Sequence, residues 1–269
     1  MMKHNKFIDN LIIILVFLFL FLPIGVLILF SFNTSELNIV FEGFTLHWYK
    51  DLFQNKALLE ALRNTLIVAV SSTVISTIIG TISAYALHKF NFPFKNLINE
   101  LLYIPVVLPE IVLGISLLCI YTLLKLELGM FTLILAHISF SIPYVIISVR
   151  SVLENLDPNL EKAASDLGAS KLKTFMLVTI PSLMPGIMSG AELAFTLSLD
   201  DVVISYFTAG PNSITLPQHV YSIIKTGVTP DVNALITIML GIIFVVLTIS
   251  MLINLHKLKN EVTRWNKKQ

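Results

Sequence analysis

The chain has 269 residues, of which 55% are apolar and only 13% charged, and its net charge is +1. Its mean hydropathy is +0.84. An ordinary soluble domain carries about 25% charged residues, so the composition argues against a soluble protein, and the near-zero net charge offers no basic surface for nucleic acid. The single cysteine, Cys119, rules out an internal disulfide framework and reads as a small side chain within an apolar run.

Crossing roughly 30 Å of hydrocarbon takes about 20 apolar residues in a helix, and helices satisfy every backbone group internally. Six segments meet that length: 11–31, 64–87, 97–124, 131–150, 183–207 and 233–255. The fold class expected is therefore all-α and integral to the membrane, as one domain over 1–269. Lys3 and Lys6 before the first run resemble the start of a signal peptide. The run is too long for a signal core and no small-x-small site follows it, so it is expected to remain as the first span.

With the N-terminus inside, thirteen Lys and Arg fall on inner segments and only Lys50, Lys56, Arg63, Lys125 and Lys225 on outer ones. This asymmetry predicts cytoplasmic termini. Trp48 and Tyr49 suit an outer interfacial helix before the second span. Two connections are too long for turns: an inner one at 151–182 and an outer one at 208–232, which holds Gly210, Pro211, Pro217 and Pro230. No internal repeat is visible.

Span three contains Glu110 just after Pro109, with Pro105 one turn back. Two prolines so placed predict a kink with freed carbonyls. Glu110 then either faces a passage or hydrogen-bonds to the broken backbone. His137 in span four reads as a helix-to-helix packing contact, since no His, Cys and acid cluster has metal-ligand spacing.

The inner connection is the most informative stretch. Asp157-Pro158 predicts a helix start, with a capping acceptor followed by proline where no N–H is needed. Leu160, Ala163, Ala164 and Leu167 then form one apolar face, and Gly168 is placed to end the helix in a left-handed conformation. Ser170 is expected to cap a second short helix carrying Leu172, Phe175 and Met176, which Pro181 is expected to stop. On physical grounds alone, this helix–glycine–helix element equally describes an amphipathic piece lying on the bilayer.

Span five carries Glu192, Asp200 and Asp201. A charge at mid-membrane costs at least about 2.5 kcal/mol on insertion scales, so such groups usually face a cavity or a partner. No Lys or Arg lies in the interior of any expected span; Arg150 is the last residue of the fourth. The acids thus lack an internal counter-ion and suit a cationic passenger, with Tyr206 and Phe207 as candidate cation–π faces. Each also has a structural reading. Asp200 and Asp201 lie about 100° apart on a helical wheel, so one of them is expected to bond to Ser198, Ser205 or a neighbouring helix. Glu192 fits a passage and a subunit interface equally well.

The run Glu161-Lys162-Ala163-Ala164-Ser165-Asp166-Leu167-Gly168-Ala169-Ser170, with Val178-Thr179-Ile180-Pro181 after it, resembles the EAA signature of ABC-importer permeases. Over nearly the whole chain the resemblance narrows to the permeases of spermidine/putrescine importers. It is carried by Ser31-Phe32-Asn33, Gly43-Phe44-Thr45, Trp48-Tyr49, Asp166–Ser170, Phe195–Val203 and Pro230–Leu235. The resemblance implies a type I permease that admits polyamines by alternating access. Glu161, Lys162, Ala163, Ala164, Asp166, Gly168, Ala169, Ser170 and Pro181 would then form the element that docks on a cytoplasmic ATPase. Lys162 stands where the family usually has glutamate, so any contact made by that glutamate would be shifted or lost.

The implied partners are a dimer of ATP-binding subunits, a second homologous permease subunit, an extracytoplasmic polyamine-binding protein and the lipid of a bacterial cytoplasmic membrane. No G-x-x-x-x-G-K-[ST] loop occurs, so ATP and Mg would be used by the partner ATPase, and this chain is expected to bind no cofactor or metal and to catalyse nothing. The competing readings are the same machine with another cationic or small organic substrate, and a proton-coupled secondary transporter. The second leaves the inner helix–glycine–helix element unexplained.

Overall fold

The computed structural model describes residues 6–35, 40–223, 230–245 and 248. Twelve helices are described: α1 Lys6–Phe30, α2 His47–Leu52, α3 Lys56–Lys89, α4 Lys95–Val107, α5 Glu110–Leu123, α6 Met130–Leu153, α7 Asn159–Asp166, α8 Lys171–Thr174, α9 Ile180–Asp200, α10 Val203–Thr208, α11 Leu216–Ile223 and α12 Pro230–Val245. Among the described residues, the sole β pairing is one antiparallel bridge, Asn33 with Phe44. Four helical stretches are long and apolar enough to cross a membrane: Asp9–Phe30, Lys56–Lys89, Met130–Leu153 and Lys171–Asp200. The bent pair α4 and α5 is apolar enough only when taken together, as a broken span or a re-entrant loop. Of the sixth expected span, 233–255, the first half lies in α12 and most of the remainder falls outside the described residues.

The chain forms two compact units, Met1–Leu59 with Ile223–Gln269, and Glu60–Ser222. In the first, α1 is exposed along its apolar length, as a helix facing lipid would be. After it, three of the short stretches singled out in the sequence meet. Thr45 N donates to Phe32 O at 2.7 Å and Thr34 N to Gly43 O at 3.0 Å. Asn33 is wholly buried and accepts from Glu42 N, while Trp48 Nε1 donates to its carbonyl at 2.6 Å. Trp48 and Tyr49 lie on α2, as expected. Asn55 Nδ2 donates to Asp231 at 2.8 Å, tying the residue before α3 to the first turn of α12.

The second unit is built on α3, α6 and α9. Positions Thr65, Ala69, Ser72, Ser76, Gly80, Ala84 and Leu87 recur every three or four residues and bury one stripe of α3. Small residues let membrane helices approach closely where lipid supplies no hydrophobic drive. Gly186 does the same between α9 and α6: a Cβ there would lie 2.9 Å from the Ser148 carbonyl. Ala84, Leu87, Val145, Val149, Leu153 and Leu183 close the core around these crossings.

Two expected spans are broken. Span three ends one helix at Val107 and begins another at Glu110, with axes 112° apart. Leu108 and Pro109 are both extended, at ψ 141° and 136°. A residue before proline is driven out of the helical region, so the kink read from Pro109 is a full break, whereas Pro105 stays inside α4. Span five ends at Asp200, leaves the helix at Asp201 (ψ 125°) and resumes at Val203. The helical-wheel relation expected between the two aspartates therefore does not apply.

The inner element also departs from expectation at one point. Pro181 does not stop the second short helix. A five-residue π turn, Phe175–Thr179, joins α8 to α9, and Lys171–Asp200 runs as one 30-residue stretch. Proline lacks an N–H and its ring clashes with the carbonyl four residues back. Widening that turn accommodates the ring without ending the helix.

Candidate functional site

At the two breaks, the start of α5 and the end of α9 face a common cavity of about 280 Å³. Glu110, Asp200 and Asp201 all line it, together with Phe140, Tyr144 and Leu197. None of the described residues lining it is Lys, Arg or His. Glu110 is exposed as the first residue of α5, where the positive end of the helix dipole favours a carboxylate. Asp200 is exposed at the last position of α9.

Asp201 has a different environment. It is 8% exposed. One carboxylate oxygen accepts from Ile204 N at 3.1 Å, and the other from Ser205 N and Ser205 Oγ, both at 2.7 Å. Asp201 therefore caps α10, satisfying donors that a helix start leaves open. His137, fully buried on α6, brings Nδ1 to 2.7 Å from Ser198 Oγ and Nε2 to 3.0 Å from Ser205 Oγ. It is a packed contact between helices, and no group of three or more His, Cys, Asp and Glu among the described residues is arranged to hold a metal.

The remaining residues singled out on span five lie apart from this cavity. Glu192 is exposed two turns earlier on α9 and does not line it. Tyr206 is 71% exposed on α10. Phe207 packs edge-on against Tyr206 and fills the space over Gly114, where a Cβ would approach its ring to 2.6 Å.

The inner element forms an elbow. Asp157 accepts from Asn159 N at 2.9 Å and so caps α7 from two residues before its start, Pro158 standing just outside the helix and not at its first position. Gly168 adopts φ +82°, with Ala169 N bonded to Ala164 O and Gly168 N to Ser165 O. These two bonds are those of a Schellman close. Ser170 Oγ accepts from Lys173 N at the start of α8. Lys162, Ala163 and Asp166 are exposed, and Leu167 and Leu172 are 90% and 69% exposed, so the elbow's apolar side is uncovered.

Glu161 has partners that sequence reasoning missed. Its carboxylate accepts from Tyr85 OH at 3.1 Å and Thr179 Oγ1 at 2.9 Å, and forms an ion pair with Lys89. Partial burial pushes this carboxyl up, but the bonds from Lys89, Thr179 and Tyr85 outweigh it and hold it below the usual carboxylate range. A depressed folded value means the tie is complete at neutral pH and is lost only as pH falls through that value. Glu161 thus pins α7 to the end of α3 and to the π turn. The partners lie 18 to 76 residues away, and no local pattern announces them. Glu161→Lys should loosen the elbow and lower the thermal midpoint of the purified protein, and Lys89→Glu in the same chain should restore most of it. A midpoint that stays equally low in the double variant would show that the pair contributes nothing specific.

Residues 76–259 match the model of the family described as "binding-protein-dependent transport system inner membrane component". The chain is 41% identical over 233 residues to the spermidine/putrescine transport system permease protein PotC of Escherichia coli (strain K12), covering 87% of this chain and 88% of that one. It is 40% identical over 227 residues to the putrescine transport system permease protein PotI of the same strain, covering 82% and 81%. Among solved structures, a chain of a bacterial ABC transporter involved in import of the acidic polysaccharide alginate superposes with a TM-score of 0.71 at 16% identity, over 91% of this chain and 95% of that chain. A chain of the MetNI methionine ABC transporter gives 0.57 at 15% identity, over 77% and 95%. With more than half its length matched by the family model and the PotC relatives aligned over most of theirs, the chain belongs to the inner membrane components of binding-protein-dependent transport systems, in the branch of the spermidine/putrescine permeases.

Proposed function

We propose that this chain is the permease subunit of an ATP-driven importer and that it passes polyamines through a path lined by Glu110 and Asp200. The observation that carries the reading is the cavity at the two helix breaks, where exposed carboxylates converge with no cationic side chain beside them. A linear polyammonium ion supplies the missing charge, and the rings of Phe140 and Tyr144 on the same wall can add cation–π attraction. The PotC and PotI relatives, at about 40% identity, support the same passenger.

In this reading all of 1–269 is one permease domain with six spans and both termini in the cytoplasm of a bacterium. The exposed side of the elbow, with Leu167 and Leu172, docks on an ATP-binding subunit. A second permease subunit completes the path, and an extracytoplasmic binding protein delivers the polyamine. Glu192, exposed on α9 and away from the cavity, is assigned to the face towards the second permease. ATP and Mg are used by the partner. Closure of the ATPase dimer would move the elbow and reopen the path outward.

Uptake of labelled spermidine and putrescine in a strain lacking only this chain, with and without the chain restored, tests the assignment. Restoration of both, with lysine uptake unchanged, is expected. Restored uptake of another solute and not of polyamines would overturn the passenger.

A further inference from the structure

His137 lies one side chain away from the cavity and has no part in the reading above. Its hydrogen bonds can be directed outward from Asp201, whose Oδ2 also lies 3.5 Å from His137 Nε2. Asp201 accepts from Ser205 Oγ at 2.7 Å, so the Ser205 hydroxyl proton is spent there. Ser205 Oγ must then accept from His137 Nε2 at 3.0 Å, which puts the ring proton on Nε2. In a neutral ring Nδ1 is left as an acceptor for Ser198 Oγ at 2.7 Å, and Ser198 Oγ lies 3.2 Å from Ser72 Oγ, whose hydroxyl also reaches Ala69 O at 3.3 Å. One buried chain of bonds therefore runs Ser72, Ser198, His137, Ser205, Asp201, crossing α3, α9, α6 and α10. Every member of it is at most 8% exposed.

This chain of bonds sits at the point where the sequence and the structure disagree. Residues 183–207 read as one uninterrupted helix, yet α9 stops at Asp200. A continuous helix would place Asp200 and Asp201 on adjacent faces; the break turns Asp201 into the core and leaves Asp200 exposed to the cavity. The His137 ring also packs at 5.1 Å against Phe140, which forms part of the cavity wall.

We infer that His137, as the neutral Nε2–H tautomer, is a positioning residue that holds the break between α9 and α10 open and thereby aims Asp200 into the passage. It touches no passenger. It supplies one acceptor and one donor at fixed separation, and an amide can supply the same pair without ionising. The inference rests on the proposed path only for its transport readout.

The test uses the assembled transporter in proteoliposomes, with Cys119→Ser and Val203→Cys placing one thiol in the cavity wall. The rate of its modification by a cationic methanethiosulfonate, measured with no polyamine present, reports the wall's geometry. His137→Leu is expected to change that rate about tenfold and to raise the spermidine KM by a similar factor, the scale set by losing a bond to a charged group. His137→Gln should keep both near the parent. Equal behaviour of the Leu and Gln variants would overturn the inference, because side-chain volume alone would then explain it. Should His137→Leu fail to assemble, Ser198→Ala removes the donor to Nδ1 without adding bulk. A shift in the same direction supports the inference and an unchanged rate overturns it. If thiol reactivity follows the prediction while no variant or parent carries spermidine, the passenger is wrong and the positioning role stands.

Discussion

Asp200→Asn, made together with Glu110→Gln, is expected to reduce spermidine uptake by roughly a hundredfold while leaving assembly with the ATPase close to normal. Both carboxylates are exposed to the cavity, and their described surroundings hold no cation that the change would orphan. What is lost is attraction to a positively charged passenger, and each charge-assisted contact removed is worth about tenfold or more. Asp201→Ala should do the reverse. It leaves three donors without an acceptor, namely Ile204 N, Ser205 N and Ser205 Oγ, in a site that is largely buried. The cost is of order 3 kcal/mol or more in stability. It is read as a lower thermal midpoint of the purified complex and less complex in the membrane. If both changes lower assembly and uptake in the same proportion, the division between a passage acid and a structural acid is wrong.

The second large effect is expected at the elbow. Gly168 sits at φ +82°, and a Cβ there would meet nothing within 4 Å. The penalty for another residue is therefore conformational and not steric. A left-handed backbone costs an ordinary L-residue about 1–2 kcal/mol, and a β-branched one more, while asparagine tolerates it. Gly168→Val should unwind the turn between α7 and α8, so that ATP hydrolysis continues while uptake per ATP falls about tenfold. Gly168→Asn should retain most of the coupling. Hydrolysis and uptake measured together in one proteoliposome preparation decide it, and unchanged coupling in the valine variant would remove the elbow from the mechanism.

Local chemistry was readable wherever one residue type answers one backbone need. Gly168, Asp157 and Ser170 each perform the capping role their identity suggests. Pro109 marked the place of a break but not its size, because proline removes a bond without dictating where the freed helix goes. Pro181 misled for the same reason: the π turn before it absorbs the ring. The break at Asp201 was illegible. Leu199 to Ser205 continues an apolar helical pattern, and what overrides it is a set of partners that includes His137 and Ser72 on two other helices and Ser198 within α9 itself. The acids read from the sequence as lacking internal cations, but only the fold separates Asp200 from Asp201, and only the fold reveals that Glu161 is held by Tyr85, Lys89 and Thr179.

The continuous stretch from Lys171 to Asp200 gives the molecule a lever. At 1.5 Å per residue, its 30 residues reach about 45 Å from the elbow to the cavity. The π turn lies close to the elbow, and α9 makes up the remainder of the stretch. Rocking the handle by only about 5° sweeps the far tip through ~4 Å at that length, enough to withdraw one carboxylate from a small passenger's ammonium group. In the proposed importer, a modest push on the elbow would thereby become a release at the cavity, without any helix unwinding on the way.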